Sequence, residues 1–102
     1  MRVILVNPHE PPAVQEITGD LASLQASVVG YVEQIAREAH MDILANEEGH
    51  WRGLALHRSI RLSNGTVIDL VGPFLLVGSN PHQGVFEDLS DADVATWLSR
   101  LA

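Results

Sequence analysis

The chain has 102 residues, with 13 acids against six arginines and no lysine, for a net charge of −7. That length fits a single domain over residues 1–102 with a modest core, and 46% hydrophobic content excludes a disordered chain. There is no cysteine, which excludes disulfides, thiol catalysis and thiolate metal sites, and no apolar run approaches the roughly 18 residues needed to span a bilayer.

Residues 2–6, RVILV, form an apolar run without alternation, the mark of a central strand covered on both sides. No small-residue cleavage pattern follows it, so the reading is a strand of a cytoplasmic protein rather than a secretion signal. The prolines of NPHEPP break the run, and residues 13–18, AVQEIT, alternate weakly enough to be a strand returning beside the first.

Residues 20–36 carry the strongest helical spacing. Leu21, Leu24, Val28, Val32 and Ile35 recur at three- and four-residue steps, which predicts one amphipathic helix ending near Ala39 or His40. Asp20 is a plausible cap and Thr18 its rival. Gly30 falls inside that span, where glycine costs up to about 1 kcal/mol relative to alanine.

Residues 42–45 read as a strand, and Trp51 to Ile60 as irregular. Ser63-Asn64-Gly65-Thr66 is the clearest turn, because Asn-Gly tolerates the positive dihedrals of a tight hairpin. Phe74 to Gly78 predicts a buried strand. Ser90 is a strong helix cap, Leu89 and Val94 are placed to pack across it, and Val94, Trp97, Leu98 and Leu101 form a second apolar stripe. The pattern predicts an α+β domain: a small antiparallel or mixed sheet packed against one long helix and one short C-terminal helix.

Charge is unevenly distributed. Residues 1–49 hold eight acids and two arginines, whereas residues 50–61, HWRGLALHRSIR, hold three arginines, two histidines and no acid. Arginine forks match carboxylate and phosphate, and an aromatic face beside them can stack. The candidate binding surface is therefore Tyr31, Asn46, Glu47, Trp51, Arg52, His57, Arg58 and Arg61. The competing explanation is that these arginines neutralise surplus carboxylates and Trp51 fills the edge of the core.

Other chemistry lacks a pattern. His9, His40, His50, His57 and His82 match no zinc spacing, the serines form no nucleophile elbow, and the glycines form no phosphate loop. No catalytic residue, metal ligand or cofactor is assigned. The acidic balance argues against direct nucleic-acid binding.

VILVNP at the start resembles a known family, as do LQASVVGYVE, ILANEEGHWRGLALHR, TVIDLVGPFLLVG and DLSDADVATWL further on. The family is a domain of unknown function, DUF3846, of small proteins from bacterial phages, plasmids and other mobile elements. Members often show Gly-Gly-Tyr where this chain has Val29-Gly30-Tyr31, and proline and asparagine where it has Ala55 and His57. The resemblance implies a mobile-element setting and no particular activity. The expected role is a non-catalytic accessory protein that binds a protein partner or a second copy of itself. The alternatives are a domain for an anionic metabolite or nucleotide, with Arg58 clamping, and an acidic mimic of DNA.

Overall fold

In the computed structural model, residues 1–7, 10–28, 30, 32–38, 40–46, 56–62, 64–80 and 85–101 are described. The strand β1 (Arg2–Val6) lies between β2 (Ala13–Glu16) and β7 (Phe74–Asn80), and the sheet runs β2-β1-β7-β4-β3 with β4 (Met41–Asn46) and β3 (Val32–Glu38) beyond β7. Every pairing is antiparallel. The apolar run of β1 is thus interior, as its lack of alternation predicts, and residues 13–16 do return beside it.

β8 (Val85–Glu87) extends the line of β1. It pairs with Gly78, Ser79 and Asn80 of β7, and the Leu89 N–H then donates to the Arg2 carbonyl at 2.9 Å. Gly78 is the residue that permits this. A Cβ there would stand 2.3 Å from the Asp88 carbonyl oxygen, closer than any side chain tolerates.

Successive residues of the central strands feed opposite cores. Ile4, Val6, Met41, Ile43, Phe74 and Leu76 face a large core closed by a second layer. That layer is a two-stranded sheet, β5 (Leu56–Arg61) with β6 (Val67–Val71), together with α2 (Asp91–Leu101). Ile60, Leu62 and Leu70 of the hairpin and Leu89, Trp97 and Leu101 at and along α2 complete it. Val3, Leu44, Leu75 and Val77 face the other way and are covered by Leu24 and Val28 of α1 (Leu21–Val28).

The structure corrects the long helix. α1 spans eight residues and α2 eleven, so the C-terminal helix is the longer. Asp20 is the cap, with its Oδ1 accepting the Ser23 N–H at 2.8 Å. The helix closes where the Gly30 N–H donates to the Gln25 carbonyl five residues back, and Gly30 has φ +152°, outside helical space. Residues 32–38 then form an edge strand. Their helix-like spacing does not make one stripe here, and the register shifts between Gln34 and Ala36. Ordinary alternation already sends residues three apart to opposite faces, so Val32 packs with the α1 core and Ile35 with the opposite one, and the shift lets Ala36 join Ile35 on that second side.

The turn and the second helix form as their residues predict. The Leu62 N–H bonds the Thr66 carbonyl at 2.8 Å, with Gly65 at φ +88°. Ser90 Oγ accepts the Asp93 N–H at 3.1 Å, and Leu89 and Val94 both pack into the large core.

Candidate functional site: an arginine-lined cleft

Among the described residues β5 has one strand neighbour, β6, which leaves its other edge without a strand there. Beside β5 runs the C-terminal half of α2. Between them is a cavity of about 260 Å³ lined by Arg58, Ser59, Ile60, Arg61, Trp97, Arg100 and Leu101. Among the described lining residues there are three arginines and no acid.

Each arginine is placed by local structure. Arg58 is opposite Leu70 in the hairpin register and shares the side of β5 on which Ile60 is buried. Its guanidinium base therefore lies against the core, and Nε is buried without a hydrogen-bond partner. Arg61 is exposed at the end of β5. Arg100 is also exposed, but its guanidinium is held from two directions. It lies over the Trp97 ring, 4.1 Å from the centroid, and Nη2 donates to the Arg61 carbonyl at 2.6 Å. Trp97 itself is buried and forms the apolar floor under Arg100.

The remaining described arginines behave differently. Arg2 pairs with Asp91 at 2.9 Å and also donates to the Leu89 carbonyl. Arg37 pairs with Asp42 at 2.8 Å. Among the described residues no carboxylate pairs with Arg58, Arg61 or Arg100, although acids outnumber arginines by 13 to six in the chain.

Of the surface expected from sequence, the structure brings Arg58 and Arg61 to this cleft. Asn46 lies on the opposite side of the sheet. It is buried, and its Nδ2 donates to the Val28 carbonyl at 3.1 Å at the end of α1. Tyr31, Glu47, Trp51 and Arg52 lie outside the described residues, and of His57 only the backbone, within β5, is described. Sequence reasoning missed Trp97 and Arg100. Their three-residue spacing on a helix was the available signal, since it puts a cation over an aromatic one turn away.

Among the described residues no group of three or more His, Asp or Glu side chains is placed to hold a metal ion. No helix among them is long and apolar enough to cross a membrane.

The fold and cleft define a small antiparallel α+β domain that gathers cationic side chains between a strand and a helix. The chain belongs to the DUF3846 family, a domain of unknown function, whose family model matches residues 1–102. No curated protein and no solved structure matches it.

Proposed function

We propose that this domain is a non-catalytic binding module, an accessory protein of a mobile element, that captures an anionic group of a protein partner in the cleft between β5 and α2. The observation that carries this reading is that, among the described residues, no carboxylate pairs with Arg58, Arg61 or Arg100 in so acidic a chain. Like charges gathered without counter-charge cost stability, and an incoming anion relieves that cost. The cleft is smaller than the roughly 300–1,000 Å³ typical of small-molecule sites, which favours a single protruding group over a whole metabolite. Among the described residues the cleft's one ring is Trp97, which is buried and covered by Arg100, so a nucleotide base has no described ring to stack on.

Acidic mimicry of DNA is less well supported. Asp20 caps α1, Asp42 is buried beside Arg37, and Asp91 pairs with Arg2. Those carboxylates are engaged within the fold rather than arrayed for a partner.

The test is affinity capture from a bacterial lysate with the wild-type domain and with the Arg58→Gln, Arg61→Gln double variant, at low and high salt. The reading expects a protein retained by the wild type, released as salt rises, and missing from the variant eluate. Equal retention by both would remove the cleft as the binding surface.

A further inference from the structure

We infer that the anion taken by this cleft is a phosphate monoester, a doubly charged tetrahedral oxyanion, rather than a carboxylate; this rests on the anion-capture reading above and narrows it.

Three observations support it. The first is the buried Arg58 Nε. Among the described residues only two buried side-chain polar atoms lack a partner, Arg58 Nε and Ser79 Oγ. A hydroxyl can rotate its proton toward any acceptor within reach, but an arginine Nε–H points in a fixed direction from a planar group. Arg58 lines the cavity, and its Nε–H is not committed to an acceptor within the domain, so the guanidinium is free to turn toward an incoming oxyanion.

The second is charge. Among the described residues three arginines line the cavity without an acid. A carboxylate brings one negative charge, whereas a phosphate monoester brings about 1.5 to 2 near neutral pH. The third is direction. Arg58 and Arg61 come from a strand, and Arg100 comes from a helix, where Trp97 and the Arg61 carbonyl already orient it. A carboxylate offers two oxygens in one plane, which suit one guanidinium fork. A phosphate monoester offers three oxygens around a tetrahedron and can meet donors from both elements. The volume of about 260 Å³ accommodates such a group without a nucleoside attached.

Calorimetric titration tests this with four probes: a neutral-flanked peptide bearing one phosphoserine, the same peptide with serine, the same with glutamate, and inorganic phosphate. The expected result is saturable binding of the phosphoserine peptide, at least tenfold weaker binding of the glutamate peptide, and none of the serine peptide. Arg58→Lys keeps the charge but removes the Nε edge, and should weaken the phosphopeptide at least tenfold. Arg100→Gln, an exposed position, should weaken it too and guards against a folding defect at Arg58. Inorganic phosphate binding as tightly as the phosphopeptide supports the oxyanion site and makes the free ion its ligand. Glutamate binding as well as phosphoserine overturns the phosphate assignment and leaves anion capture standing. No binding by phosphate or either charged peptide overturns both.

Discussion

Arg37 and Arg58 present the same chemical edge to opposite circumstances. Arg37 Nε donates to Asp42 Oδ1 at 2.8 Å, directly across the β3–β4 register, and Gln34 adds a second donor to that oxygen at 3.2 Å. The hydrogen bond to Asp42, and then its charge, raise the already high pKa of Arg37. Arg58 Nε has no partner and is buried beside a cavity. The contrast separates an arginine bonded within the fold from one whose Nε is left without a bond. On the α1 side of the sheet the described buried charge is answered inside the domain. At the β5–α2 cleft no carboxylate among the described residues answers it.

The two arginines should respond to mutation in opposite ways. Arg37→Ala should have the largest effect, because it strands a fully buried Asp42 carboxylate without its cation. A fall in melting temperature on the order of 10 °C is expected by circular dichroism. Asp42→Asn should cost less, since Arg37 is half exposed and can turn to water. Asn46→Ala deletes the amide that satisfies the end of α1, and should cost about 1–3 kcal/mol in urea denaturation.

A smaller effect is expected at Asp20. The Ser23 backbone N–H first, then the Thr18 and Ser23 hydroxyls, lower its pKa below 3.8. A lowered carboxyl pKa stabilises the folded state above the unfolded value, and the benefit is lost as pH falls through the folded one. Asp20→Asn should therefore flatten the acid limb of the stability profile below about pH 4 and change little at neutral pH. Arg58→Gln should change stability least, within about 0.5 kcal/mol of wild type or slightly upward, because it removes an unpaired buried donor and one of three clustered charges. A loss as large as that at Arg37 would show that Arg58 is structural and would erase the distinction.

Much of the fold can be read from particular residues. The unbroken apolar run of β1, the Asn64-Gly65 turn and the Ser90 cap with Leu89 and Val94 are local signals, and local physics decided each of them. The stretch from Val32 to Glu38 was not legible in this way. Its apolar spacing suits a helix, but in the strand Val32 and Ile35 serve opposite cores rather than one stripe. Only pairing with Met41–Asn46, a tertiary event, distinguishes the two.

The cleft was half legible. The absence of acids between His50 and Arg61 pointed to Arg58 and Arg61. Arg100 was hidden because it is the sole cation in an acidic closing segment, where the natural reading is a solvated helix end. Its position over Trp97 and against the Arg61 carbonyl depends on α2 packing along β5. Asn46 illustrates the reverse: a polar residue beside a turn reads as surface, but here it bonds inward to the helix it supports.

The most direct measurement follows the arginine Nε–Hε resonances during titration with inorganic phosphate and, separately, glutarate. The Arg58 signal should shift and saturate with at least one of the two anions while that of Arg37, already bonded to Asp42, stays in place. An Arg58 signal that stays fixed through both titrations, or one that drifts in parallel with Arg37, would contradict an anion site in the cleft.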